Sequence, residues 1–265
     1  MEELLVTTQS DLEGHRDVAL DFARSLLLES AIHIPREARQ MWTRYLSDIV
    51  LDGMWTRPTL SLRDRSLATV SALATLRTTD LLRTHVLIAF SQGITRGELC
   101  EVMSQVTGYA GMAVGFEGFR VLKEIFETQL EDARIELSEA EASVLSANER
   151  LERGQQLMAR LWPDRDIGPS SSSEEIVPDW KSWLADVAYG DLWLRPGITL
   201  VDRERVTIAI LTVLGSEKRL RNHIAAALKL GIPIREIGEE IMHLATYVGF
   251  PKASDAMEIA GDIAR

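Results

Sequence analysis

Between Ser66 and Leu76 the apolar positions Leu67, Val70, Leu73 and Ala74 recur at intervals of three and four. Leu81, Leu82, His85, Val86, Ala89 and Phe90 repeat the same spacing. That period belongs to a helix with one buried face. Gly93 follows as a C-terminal stop. Thr95-x-x-Glu98 then has the form of a capping box, which predicts a new helix running to about Gly111. Later in the chain the pattern predicts helices near 202–214, 217–230 and 233–248. Gly231 separates the last two, and Pro233 takes a first-turn position where its missing N–H is no loss. Four further amphipathic stretches precede these groups: Asp17–Leu28 and Arg36–Val50, then Asn148–Leu161 and Asp179–Val187. No alternating run is long enough for a strand, so the expected fold class is all-α.

The two groups of helices are copies. With a shift of 138 residues, the 78 positions from Trp42 to Phe119 contain 22 identities and no gap. Trp55-x-Arg57-Pro58 falls on Trp193-x-Arg195-Pro196, Asp64-Arg65 on Asp202-Arg203, and Leu82-Arg83-x-His85 on Leu220-Arg221-x-His223. Gly93-Ile94 falls on Gly231-Ile232, Glu98 on Glu236, and Tyr109-x-Gly111 on Tyr247-x-Gly249. A gapless register means that one helical unit was duplicated in tandem. The expected division is 1–140 and 141–265. The Ser- and acid-rich stretch 163–178 is read as a linker within the second unit, and 131–149 as a helical connector.

Composition narrows the function classes. The net charge of −11 and pI near 5.0 argue against a nucleic-acid partner, which needs a basic face. The apolar runs Leu67–Leu76 and Val206–Leu214 are too short to span a bilayer, and the acidic start lacks the form of a signal peptide. A cytoplasmic location is expected. One cysteine, Cys100, allows neither an intramolecular disulfide nor a Cys-based zinc site.

Several residues carry candidate chemistry. His85 and His223 lie mid-helix on largely apolar faces, either as paired core histidines or as general acid/base groups. Glu204 and His243 occur only in the second copy, where the first has Ser66 and Gln105. Three helices bearing Glu204, His223 and His243 can converge on one cavity, with the carboxylate fixing the tautomer of an imidazole. Their spacing does not support a metal set. Arg57, Arg195, Arg65 and Arg203 either fix loops through carbonyls or hold a substrate carboxylate. Trp55 and Trp193 are core or pocket wall, with core favoured. Tyr109 and Tyr247 are core phenols or donors to an enolate.

Trp193–Arg205 (Trp-x-Arg-Pro-Gly-x-x-x-x-Asp-Arg-Glu-Arg), Leu220–Gly231 and Tyr247–Ala253 resemble the carboxymuconolactone decarboxylase family, and the first copy follows the same series more loosely. The stretch Glu149–Trp162 resembles that family's first helix. The resemblance covers nearly the whole chain as two fused units. It implies an alkyl-hydroperoxidase-D-like helical fold, a homo-oligomer (a trimer first, a dimer second), and decarboxylation of a carboxylated lactone without metal or organic cofactor. The peroxidase branch uses a Cys-x-x-Cys pair. Cys100 is the chain's only cysteine, and the residues three and seven before His85 (Leu82, Thr78) and before His223 (Leu220, Ser216) are not thiols, so disulfide-exchange chemistry lacks the thiol pair it needs.

On this reading the enzyme acts on a small cyclic, acidic or enolisable substrate. His223 is its proton donor/acceptor, with Glu204 as partner, and His85 is a lesser catalytic candidate. Arg195, Arg203, Arg65, His243, Trp193, Trp55 and Tyr247 are the candidate substrate-binding residues. A cyclase or isomerase acting on lactones or polyketides, and a non-catalytic ligand-binding or scaffold protein, remain open.

Overall fold

The computed structural model describes residues 9–128, 145–163 and 176–265. Every regular element among them is helical. The central part of the 163–178 linker and most of the 131–149 connector lie outside the described residues.

The first unit consists of α1 (Gln9–Glu29), α2 (Arg36–Arg44), α3 (Leu62–Leu76), α4 (Thr79–Ser91), α5 (Arg96–Ala110) and α6 (Met112–Thr128). The second repeats the series as α7 (Ala147–Leu161), α8 (Trp180–Leu184), α9 (Leu200–Leu214), α10 (Glu217–Lys229), α11 (Ile234–Val248) and α12 (Phe250–Ala264). The expected Thr95/Glu98 capping box is present, with Thr95 accepting from the Glu98 N–H and the Glu98 carboxylate accepting from the Thr95 N–H. Pro233 is displaced from its expected place: it is the residue before α11, with extended backbone, rather than part of the first turn.

Two expected helices are only partly α-helical. Arg36–Val50 begins as α2 and then widens into a π-helix over Tyr45–Trp55. The second copy does the same, with a π-helix over Ala185–Asp191 and a short 3₁₀ turn at Leu192–Leu194. Each widened segment delivers a tryptophan, Trp55 or Trp193, to the interior. A π turn slips the side-chain register by one residue, and apolar periodicity alone does not announce that slip. In the second copy Gly154 and Gly190 let α7 lie directly on the π segment. A Cβ on Gly154 would stand 1.9 Å from the Ala185 carbonyl oxygen, and one on Gly190 would stand 2.0 Å from that of Arg150.

At the centre, α3 and α9 pack on each other through small side chains. Ala68 and Ala72 meet Ala209 and Val213, with Leu244 of α11 alongside. This contact joins the repeats into one core: Val206 and Ile210 of α9 pack with the first unit's apolar cluster. Ion pairs tie the repeats together across the same junction. Arg63 of α3 binds Asp202 at 2.7 Å and Glu98 at 2.6 Å. Arg205 of α9 pairs with Glu236 and, at 3.6 Å, with Asp64, and donates a hydrogen bond to Glu240 at 3.3 Å. The shared acids Asp64/Asp202 and Glu98/Glu236 therefore have shared work. Among the described residues no helix is long and apolar enough to cross a membrane.

Candidate active site

Two side-chain clusters flank the α3–α9 pair, and each is assembled from both repeats. In the first, α3, α4 and the π segment supply Arg65, Thr69, His85 and Trp55, while α11 of the second repeat supplies Glu239, His243 and Tyr247. In the second, α9, α10 and the π/3₁₀ segment supply Arg203, Glu204, Thr207, His223 and Trp193, while α5 of the first repeat supplies Glu101, Gln105 and Tyr109. The repeats have exchanged helices.

The clusters share a frame. Trp55 Nε1 donates to the Tyr247 phenol at 3.0 Å, and Trp193 Nε1 to the Tyr109 phenol at 2.9 Å. Glu239 accepts from Arg57 (2.6 and 3.0 Å) and from Arg65 (2.8 Å). Glu101 accepts from Arg195 (3.0 Å) and Arg203 (2.8 Å). The inner arginine of each pair also donates to the carbonyl of the outer one. Arg65 and Arg203 are fully buried and held by these partners, whereas Arg57 and Arg195 are partly exposed. Both tryptophans are fully buried.

The chemistry differs at two positions. In the second cluster His223 Nδ1 lies 2.9 Å from Glu204 Oε2, and Nε2 lies 3.2 Å from the Tyr109 oxygen. Trp193 donates to that oxygen, which leaves the phenol O–H to donate to Nε2 and the Nδ1–H to donate to Glu204. Tyr189 also hydrogen-bonds Tyr109. Burial raises the Glu204 carboxyl above its ordinary range, and His223 works against that shift. Burial also raises Tyr109, and pushes Tyr189 up to about 12, so both phenols keep their protons. The His223 ring is enclosed by Trp193, stacked at 5.6 Å, and by Trp162 and Tyr109, each edge-on at 5.4 Å.

In the first cluster Ser66 stands in the place of Glu204 and turns away to donate to Gln92 at 2.6 Å. His85 stacks on Trp55 at 5.8 Å and meets Tyr247 edge-on at 5.3 Å. Neither of its ring nitrogens has a hydrogen-bond partner among the described residues. Burial lowers its pKa to about 3. His243 replaces Gln105: its Nε2 lies 2.8 Å from Thr69, as Gln105 Nε2 lies 3.0 Å from Thr207. Thr69 donates to the Arg65 carbonyl, so the imidazole is the donor to Thr69 and its Nδ1 is left without a partner. Burial, with Arg65 nearby, lowers His243 well below the ordinary imidazole value.

Glu204 and His223 are therefore brought together as expected, but His243 is not with them. It belongs to the cluster of His85, Trp55 and Tyr247, because α11 crosses to the first repeat. The Glu204/His223/His243 convergence, and the metal set it would have made, is corrected on that ground. Tyr247 likewise serves the first cluster, and Tyr109 takes its place beside His223. Glu101 and Glu239, which organise the arginines, were not singled out in the sequence. Their identity at the 138-residue shift was the available signal. Trp162 and Tyr189 have Arg24 and Leu51 at the corresponding positions and left no such mark.

The family model described as the carboxymuconolactone decarboxylase family matches residues 37–124 and again 178–262. A 4-carboxymuconolactone decarboxylase of Acinetobacter baylyi is 28% identical over 120 residues, 45% of this chain and 90% of the relative. A nitrosuccinic acid decarboxylase of Metarhizium robertsii is 29% identical over 84 residues, 32% of this chain and 54% of the relative.

Proposed function

Because the chain belongs to the carboxymuconolactone decarboxylase family, we propose that it removes a carboxyl group from a small acid, with the second-repeat cluster supplying acid–base catalysis. The names of the two relatives describe loss of a carboxyl group from a lactone acid and from a nitro acid. In either chemistry the carboxylate leaves as carbon dioxide. Its bonding electron pair passes to the neighbouring carbon and its acceptor group, and a proton must then be delivered to carbon.

The observation that carries this reading is the continuous chain Glu204–His223–Tyr109, for which the first repeat has no counterpart carboxylate. Glu204 at Nδ1 supports an imidazolium. Nε2 then bears the proton, which passes to the substrate carbon directly or through the Tyr109 phenol. The neutral phenols of Tyr109 and Tyr189 offer O–H donors to the developing oxyanion in a water-poor setting. Arg195, partly exposed beside Glu101, is the better placed anchor for the substrate carboxylate, since Arg203 is fully buried. Trp193 is the wall against which a flat substrate would lie.

We also propose that the chain works as a homo-oligomer, a trimer in the first instance. Met112, Phe116 and Phe119 line the outer face of α6, and Phe250 and Met257 that of α12, all exposed. Carbon dioxide release from 4-carboxymuconolactone and from nitrosuccinate is the direct test of the reaction. Release that Glu204→Gln lowers at least about 10²-fold, in a chain that still folds, supports the relay. Release unaffected by that substitution would refute it.

A further inference from the structure

Both ring nitrogens of His223 are engaged, Nδ1 by Glu204 and Nε2 by Tyr109, and the residue is 3% exposed. A proton that reaches or leaves Nε2 therefore meets the Tyr109 oxygen. That phenol has one hydrogen to give and lone pairs that accept. Trp193 Nε1 donates to it at 2.9 Å. His223 and Tyr189 are its other two partners.

Two arrangements keep all three bonds. With one proton shared by Glu204 and Nδ1, Nε2 is a lone pair: Tyr109 donates to it, and Tyr189 donates to Tyr109. With a second proton on the pair, Nε2 carries a hydrogen and donates to Tyr109. The Tyr109 hydroxyl must then turn to another acceptor, which is the Tyr189 oxygen. Whether the inner proton sits on Nδ1 or on the Glu204 carboxyl is immaterial, since Nε2–H faces Tyr109 in both cases. Without the Tyr189 oxygen the first arrangement still pairs every donor. The second strands the Tyr109 O–H in the interior, and a buried donor without an acceptor is destabilising.

Tyr189 is held for this task. Its ring stacks on Trp193 at 6.0 Å and meets Trp162 edge-on at 5.5 Å. The Trp162 N–H is given to the Asn222 carbonyl at 2.9 Å, and Tyr109 is the one hydrogen-bond partner of Tyr189 among the described residues. The first repeat has Leu51 in the place of Tyr189 and Ser66 in the place of Glu204. It lacks both the carboxylate that supports a charged imidazole and the acceptor that lets a phenol turn away from one, and neither nitrogen of His85 has a partner there.

We propose that Tyr189 is a positioning residue for the proton transfer: its oxygen accepts the Tyr109 hydroxyl when Nε2 of His223 is protonated, and its hydroxyl donates to Tyr109 when Nε2 is bare. The proposal rests on reading the Glu204–His223–Tyr109 chain as the acid–base apparatus. Reversal also frees the Tyr189 O–H from Tyr109 at the moment the chain is loaded with its proton. Besides Glu204 of α9, the charges around this chain are Arg219 of α10, near Tyr189, and Glu101 of α5 with Arg195 and Arg203. Asp191 lies near Arg195 and Arg150. Arg150 of α7 pairs with Asp186, and Arg221 of α10 with Asp262 of α12. Tyr189→Phe alters none of them.

The test follows the full chain by NMR with ¹⁵N-labelled histidine and ¹³Cζ-labelled tyrosine. Five histidines and four tyrosines are few enough to assign by single substitution or elimination. In the parent, Nε2 of His223 changes from bare to protonated as pH falls, and the Tyr109 and Tyr189 signals step at the same midpoint while Tyr247 does not. In Tyr189→Phe the His223 midpoint lies about one pH unit or more lower. In a Tyr109→Phe background the same substitution moves it by less than about 0.3 unit, because the link is already cut. A purely structural phenol would lower Tm and leave the midpoint in place. A Tyr189 signal that does not step with His223 overturns the proposal, and the parent shows this even if Tyr189→Phe does not fold. A midpoint in Tyr189→Phe within about 0.3 unit of the parent's also overturns it, as does an Nε2 that stays in one state from about pH 4 to 9. No substrate is needed. Signals that behave as expected in a chain that releases no carbon dioxide would leave this switch standing and remove the decarboxylase reading.

Discussion

Glu101 is where the interlocking of the repeats can be tested most sharply. It sits on α5 of the first repeat, yet its carboxylate is the countercharge for two arginines of the second. Arg203 Nη2 donates to it at 2.8 Å, and Arg195 donates through Nη2 at 3.0 Å and Nε at 3.1 Å. Arg203 is fully buried, so Glu101→Ala leaves a guanidinium in the interior with only the Arg195 carbonyl and Gln105 as acceptors among the described residues. Removing one partner of a buried pair typically costs about 3–5 kcal/mol, because the other charge stays uncompensated. At about 2–4 °C per kcal/mol for a chain near this size, Tm should fall by roughly 6–20 °C. Glu101→Gln keeps the shape and an acceptor, so its loss should lie in the lower half of that range. Adding Arg203→Met to Glu101→Leu removes both buried charges and should recover much of the loss. Glu117→Ala, which removes an exposed partner of Arg120 on α6, should leave Tm unchanged and serves as control. Thermal melts followed by circular dichroism suffice. A Tm for Glu101→Ala within about 2 °C of the parent would refute the cross-repeat account.

Three other outcomes follow from the same geometry. Burial raises the Glu240 carboxyl to about 8, so the folded chain holds a proton that the unfolded chain has released. Stability should therefore decline as pH rises from about 4.5 to 8, and Glu240→Gln should flatten that decline in denaturant titrations. His85 is buried neutral with a pKa near 3, so stability should also fall as pH drops below about 6.5, where the unfolded imidazole takes up a proton; His85→Phe should lessen that acid slope. Light scattering should give a mass well above the 29.6 kDa chain, with Phe116→Glu plus Phe250→Glu lowering it, and a parent monomer at micromolar concentration would refute the assembly.

Much of the fold was legible because helical periodicity, caps and a gapless repeat each report on local or internal order. The Thr95–Glu98 box and the stop at Gly93 are local features, and they appear where the pattern puts them. What periodicity reports is which face of a helix is buried, not against which partner. The exchange of α5 and α11 was therefore hidden, and His243 was grouped with Glu204 and His223 rather than with His85. The π turns before Trp55 and Trp193 were also hidden, since a one-residue slip changes no residue type. Glu101 and Glu239 looked like ordinary helix acids, although their identity across the copies marked them. Glu204 and His223 were legible as a pair because one residue appears only in the second copy and the other in both.

The central claim is that the second repeat's His223 moves the proton and the first repeat's His85 does not. Turnover of His223→Ala and His85→Ala, measured side by side as carbon dioxide release with folding checked by circular dichroism, tests it most directly. The account predicts a loss of about 10²-fold or more for His223→Ala and a far smaller one for His85→Ala. Equal losses would mean that both clusters react. A large loss for His85→Ala alone would contradict the assignment of catalysis to the Glu204–His223–Tyr109 chain.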